Sequence, residues 1–214
     1  MVERAEDGSD LPAEVAAEVE EHARAVVHGG FTALDDAVRD VAEHFEDEPA
    51  VTPRAVRRVV ERVWRERAAE QAGWPATTDV DRLLAAFAAL DRGGIVARAD
   101  FTCCQTCGHA EIGAEAAGPA RGYVFFHRQD TEGAVARGRL WLAFGSFAGS
   151  AGPGAADPAA ADPAPADLAA ADEAVGREVV AALAAGGLPV EWNGSVRTRI
   201  EVGPITWRKR LPVG

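Results

Sequence analysis

Nine consecutive residues carry the concentrated chemistry of this chain: Phe101-Thr102-Cys103-Cys104-Gln105-Thr106-Cys107-Gly108-His109, which include all three of its cysteines. Four readings compete for them. Cys104-x-x-Cys107-Gly108 is the knuckle in which two thiolates converge on one zinc while the glycine allows a tight turn behind them. Tetrahedral zinc asks for four donors and the chain has no second cysteine pair, so Cys103, His109 or His127 would have to complete the set. A Cys-x-x-Cys pair at the end of a strand and the start of a helix is also where disulfide oxidoreductases keep their nucleophile, the helix N-terminus lowering the first thiol's pKa. No aromatic or proline residue frames the pair in the usual way, however. In a third reading Cys104 or Cys107 attacks an acyl group, with His109 or His127 as base and Asp130 orienting the imidazole. Finally, cysteines can pack as small hydrophobes. That accounts for Cys103 better than for Cys107-Gly108-His109, because a polar turn rarely needs a thiol.

A second polar group follows at the end of an apolar strand, His127-Arg128-Gln129-Asp130-Thr131-Glu132. Gln129, Asp130 and Thr131 are candidate binding groups, since strand ends facing a neighbouring loop commonly bind. Asp130 or Thr131 could equally serve to cap the next segment. His22, His28 and His44 lie on expected helices with no second ligand at i+4, as surface or boundary histidines do. Phosphate-binding glycine loops and metalloprotease motifs are absent from the sequence.

The elements that must position these residues change period half-way along the chain. Val15, Val19, Ala23 and Val26 recur at helical spacing up to Gly29-Gly30. Leu34 to Phe45 repeats the pattern, and Thr52-Pro53 is an N-cap and N1 pair for a third helix with Val56, Val59, Val60 and Val63. Thr78 caps a fourth, through Leu90 to Gly93-Gly94. Strands are expected over Ile95 to Phe101, Tyr123 to His127 and Leu140 to Phe147, with a short helix over Gly108 to Ala117. Residues 148–166 are Ala, Gly, Pro and Asp without a large apolar side chain, as in a loop insertion. A helix with Val175, Val179, Val180 and Leu183 precedes a hairpin turning at Asn193-Gly194, and Ile205 to Arg208 is expected to continue the sheet after Gly203-Pro204. The fold class is therefore α+β: a helical N-terminal layer over 1–92, packed with a ferredoxin-like βαββαβ-type sheet over 93–214.

Charge narrows the function classes. The net charge is −12, and residues 1–50 account for all of it with 15 Asp/Glu against 3 Arg. An acidic front end argues against general nucleic-acid binding and favours a basic protein partner, or simply a solvated helix face. The charged start MVERAEDGSD lacks the apolar core of a secretory signal, and apolar runs are too short to span a bilayer. The expectation is a cytoplasmic protein, where three cysteines do not form a disulfide framework. Abundant alanine, with Lys209 as the sole lysine among 22 basic residues, suggests the coding bias of a GC-rich bacterium.

Four stretches carry a family resemblance: FTCCQTCG at 101–108, GYVFFHRQDTE at 122–132, LWLAFG at 140–145 and GLPVEWNG at 187–194. Together they resemble an uncharacterised bacterial family, a domain of unknown function. The resemblance covers most of the chain, clearest from about residue 93 onward, and implies one family unit that includes the helical front. It transfers no catalytic residues. The reading favoured is a non-enzymatic binding or regulatory module whose Cys/His cluster holds a structural metal, zinc first, or a packed turn. The alternative is a thiol-dependent redox enzyme using Cys104 and Cys107.

Overall fold

A computed structural model describes residues 11–116, 119–147 and 164–213. They fall in two compact units, one of residues 1–76 and 208–214, the other of residues 77–207. The fourth helix, grouped by sequence with the front helices, belongs to the unit that contains the sheet.

The first unit is built on α1 (Ala13–Gly29), α2 (Leu34–His44) and α3 (Pro53–Gln71). Each turns its apolar stripe inward: Val19, Ala23 and Val27 from α1, Ala37 and Val41 from α2, Val56, Val60 and Val63 from α3 are all fully buried. Thr52 caps α3 as its sequence predicts, Oγ1 accepting from Ala55 N at 3.2 Å with Pro53 in the first turn. The basic face of α3 meets the acidic front end. Glu20 accepts from Arg24 and Arg62 at 2.8 Å each, Arg24 also reaches Glu66 at 2.9 Å, and Arg57 pairs with Asp35. Much of the sequence's charge segregation is therefore local neutralisation. The chain returns to this unit at its end. Lys209 Nζ lies 5.1 Å from the Phe31 ring centroid, Arg210 donates to Pro75 O at 2.8 Å, and Leu211 N to Gln71 at 2.8 Å.

The second unit opens with α4 (Asp79–Arg92), started by a capping box between Thr78 and Asp81. It continues through β1 (Ile95–Arg98), α5 (Gln105–Glu111) with a 3-10 turn over Ile112–Glu115, β2 (Gly122–Phe125), α6 (Arg128–Arg137), β3 (Leu140–Ser146), α7 (Pro165–Ala185), β4 (Val190–Glu191) and β5 (Ile200–Val202). The class is α+β, with one five-stranded sheet in the order β1-β2-β3-β5-β4.

Three expectations are corrected here. In a ferredoxin-like sheet the crossover strands are split by a third strand between them. Here β1 and β2 are direct parallel neighbours, Ile95 opposite Gly122 and Arg98 opposite Phe125, and β3 lies antiparallel outside them. Period-two patterning reveals a strand but not its neighbour, so sequence could not see this order. The Asn193-Gly194 pair does not close a two-residue hairpin either. Asn193 Oδ1 accepts from Ser195 N and Thr198 Oγ1, which folds residues 192–199 into a longer loop between β4 and β5. The sheet is also not extended after Gly203-Pro204: no strand forms over 205–208, and Trp207 turns into the core against Phe126. Of the loop insertion expected over 148–166, residues 148–163 lie outside the described residues, and Pro165 already begins α7.

Strand β2 is buried on both faces, which is why it reads as a continuous apolar run. Gly122 and Phe126 face α7 and α4: a Cβ on Gly122 would fall 2.5 Å from Val175, and the Phe126 ring lies 5.7 Å from that of Phe87. Phe125 faces α5, in a cluster with Val96, Ile112 and Ala143. Because β1 and β2 are parallel, their carboxyl ends open at the same sheet edge, where crossover folds commonly place their ligands. Phe101 N donates to Phe126 O at 2.8 Å and Arg128 N to Thr102 O at 3.2 Å, tying together the loops that leave these two ends.

Candidate functional site

Both loops lead at once into helices, and the sequence-selected residues lie in those two junctions. Cys103 closes the loop after β1, Cys104 is the N-cap of α5, and Cys107 sits within its first turn. The helix starts three residues earlier than sequence suggests, and that changes the role of Gly108. It does not form the tight turn of a zinc knuckle. It lies inside the helix, where a Cβ would fall 2.3 Å from Phe125 Cε2. Glycine is required there so that α5 can approach the sheet.

The three sulfurs are brought together. All lie within 4.8 Å of one another, and Cys103 Sγ is 3.6 Å from Cys107 Sγ. Cys103 is exposed and the other two are half-buried, with no disulfide among them. Their protonation is divided. Cys104 forms no side-chain cap hydrogen bond, but the N–H groups of Cys107 and Thr106 and the other thiols face its sulfur and hold its pKa below the ordinary value, led by the Cys107 amide. Cys107 is pushed up to about 11, because the neighbouring Cys103 and Cys104 sulfurs bond to its protonated form and repel its thiolate.

Neither histidine joins this group. His109 is exposed, one turn along α5, with Nδ1 3.2 Å from Tyr123 Oη and Nε2 3.4 Å from Gln105 Nε2. Its ring stands edge-on to Phe125 at 5.2 Å, and burial of the ring lowers its pKa. His127 is the N-cap of α6 and is buried, 4 % exposed, with Nε2 3.0 Å from Asp130 Oδ2. Burial lowers its pKa against the opposing pull of Asp130. The Asp130–His127 pair of the acyl-transfer reading therefore forms, but neither histidine ring is hydrogen-bonded to a cysteine among the described residues. Asp130 and Thr131 are buried, whereas Gln129 is exposed and takes no part in their network.

The family model for a domain of unknown function, DUF6891, matches residues 12–211. The chain belongs to this family. No curated protein and no solved structure matches it. The matched span of the DUF6891 domain runs through both compact units.

Sequence reasoning missed two residues that organise the site, Arg199 and Asp100. Arg199, just ahead of β5, clamps Asp130 through both guanidinium Nη atoms, Nη1 to Oδ1 at 3.0 Å, and also donates to Trp141 O. Asp100 accepts from Thr131 Oγ1 at 2.6 Å. Asp100 and Thr102 both have left-handed backbones, φ 51° and 62°. This is tolerable for an aspartate but costly, roughly 1–2 kcal/mol, for β-branched Thr102. Such strain persists only where surroundings impose it, and it gathers at functional loops. A lone arginine 69 residues from Asp130 gives no sequence signal. The nearest available hint was two polar residues flanking Phe101 ahead of the cysteines. Among the described residues, no helix is long and apolar enough to cross a membrane.

Proposed function

We propose that this DUF6891 domain is a non-enzymatic binding or regulatory module that holds a thiophilic metal cation, zinc first, on Cys103, Cys104 and Cys107. The observation that carries the reading is the spacing of the sulfurs. Zn–S bonds of about 2.3 Å in a tetrahedron set neighbouring sulfurs about 3.8 Å apart. Cys103 and Cys107 stand at 3.6 Å, and the third sulfur lies within 4.8 Å of both. Thiolates select zinc, copper(I) and iron–sulfur chemistry over hard cations. A cation would also relieve the repulsion that keeps Cys107 protonated, with release of its proton. Three free thiols persist in a reducing compartment, in keeping with a cytoplasmic setting.

The test is metal analysis with thiol counting on anaerobically purified protein. One equivalent of metal, lost in Cys104→Ser and in Cys107→Ser, is the expected result. No metal, in protein that also fails to take up added zinc or copper(I), would remove the proposal.

One observation favours a second reading, a thiol-dependent redox function. Cys104 has a lowered pKa at a helix start while Cys107 stays protonated beside it, as attacking and resolving thiols do. A disulfide between Cys104 and Cys107 that forms and reduces reversibly in metal-free protein supports it. Equal, sluggish reactivity of the thiols counts against it. A basic protein is the partner that the acidic front end favours, through exposed Glu43, Glu46 and Asp47. Binding of a polyarginine probe that survives reversal of these three charges would dispose of that surface.

A further inference from the structure

We infer that the site leaves one coordination position open and that its metal is an exchangeable guest, with an exogenous small thiolate as the fourth ligand. The inference rests on the metal reading above and adds both the ligand class and the role of the ion.

Three observations converge. The first concerns donors. Structural zinc is closed by four protein ligands, whereas three protein ligands and an open position mark sites that exchange or react. Among the described residues the group here has three. His109, the sequence neighbour best suited to be a fourth, has each ring nitrogen facing a protein partner, Tyr123 and Gln105. His127 is turned through Nε2 to Asp130, which Arg199 in turn clamps, and although its buried Nδ1 has no hydrogen-bond partner among the described residues, the ring does not belong to the thiol group. Asp100 accepts from Thr131. None of these side chains enters the thiol group, which among the described residues consists of the three cysteines alone.

The second concerns what holds α5 in place. Gly108 lies directly on Phe125, Ile112 is 2 % exposed in the cluster with Val96 and Ala143, and Thr102 Oγ1 donates to Cys104 O at 3.1 Å. These contacts fix the segment on both sides of the cysteines, so the metal has no packing to supply. The third is access. Cys103, Gln105 and Thr106 are exposed, so a small ligand can reach the open side. A cation that has taken three thiolates prefers a fourth soft donor to water.

Cobalt(II) is the probe, added to reduced, full-length protein under anaerobic conditions. The thiolate-to-cobalt charge-transfer absorption should correspond to three sulfurs. Titrating in 2-mercaptoethanol should raise it by about one-third as a fourth sulfur binds, with bound cobalt, measured after gel filtration, unchanged. Chelation should then leave the far-UV and near-UV circular dichroism as before. Absorption indifferent to the thiol but shifted in His127→Gln or His109→Gln would mean that the protein closes its own site, and would overturn the inference. So would cobalt stripped by the thiol before the absorption rises, or unfolding on chelation. Wild-type protein that binds no cobalt would instead fail the metal reading itself, and this inference with it.

Discussion

Replacing Gly108 by alanine sets two effects of opposite sign against each other, and the structure decides between them. Alanine in a helix interior is favoured over glycine by about 1 kcal/mol. At this position, however, the new methyl would lie 2.3 Å from Phe125 Cε2 and 2.6 Å from Cζ. Carbon atoms rest at roughly 3.5–4.0 Å, so more than 1 Å must be recovered by movement. The Phe125 ring is fully buried and hemmed by Phe101, Tyr123 and His109, with ring centroids 5.2 to 6.1 Å away. Overpacking of a filled core costs about 1–3 kcal/mol. An overlap this deep belongs in the upper part of that range, about 2–3 kcal/mol, so the balance is a destabilisation of about 1–2 kcal/mol, relieved by backing α5 and its cysteines away from the sheet. Urea unfolding followed by circular dichroism measures it. A companion Phe125→Leu substitution tests the cause, because making room for the methyl should render the double variant less damaged than the sum of the singles. A Gly108→Ala protein as stable as wild type, or additive costs in the pair, would refute the close-approach argument.

Other consequences follow from the same geometry. Arg199→Met leaves the buried Asp130 carboxylate without its clamp and should cost about 2–4 kcal/mol in equilibrium unfolding, and Arg199→Met with Asp130→Asn distinctly less; equal costs would mean that Asp130 needs no counter-charge. Timed alkylation read by mass spectrometry should find Cys104 modified first and Cys107 last at neutral pH. The Cys104 rate should reach its plateau at lower pH than an ordinary thiol, whereas Cys107 should keep gaining up to pH about 11, where its thiolate forms. In the first unit, Arg62 and Arg24 hold Glu20 down to about 2 from an ordinary 4.5. The stability this gives is present above pH 4.5 and lost as pH falls towards 2. With a third of the side chain exposed, Glu20→Gln should cost only about 1 kcal/mol, less in high salt, and an effect independent of salt would contradict it.

The four front helices were legible because each carries a complete local signal: an apolar stripe at helical spacing with Thr52-Pro53 or Thr78 at its start. That three cysteines lie within five residues was legible too, but not that their sulfurs face a common point, which depends on a helix starting at Gln105. What stayed hidden depends on partners distant in sequence. Gly108 looks like a turn residue until Phe125 is seen pressed against it. Arg199 looks like one more surface arginine until Asp130 is found between its nitrogens. The adjacency of β1 and β2 is a property of the sheet, and no single strand encodes it. Asn193-Gly194 has a hairpin's composition, but the Asn193 carboxamide bonds forward to Ser195 and Thr198 and spends its turn potential inside a longer loop.

The return of residues 208–211 to the helices of the first unit has a consequence for biosynthesis. Lys209, Arg210 and Leu211 complete contacts with Phe31, Pro75 and Gln71, yet the ribosome makes them only after the whole of 77–207 has been added. The first unit therefore begins to form early and is finished late, waiting on an intervening body whose own entry and exit are pinned by the bond from Thr206 N to Asp79. Chains arrested just short of Arg208 should expose Gln71 and Phe31 to labelling or protease attack that the completed chain resists. Codon changes that slow translation of the sheet-bearing region would lengthen that vulnerable interval without altering a single residue.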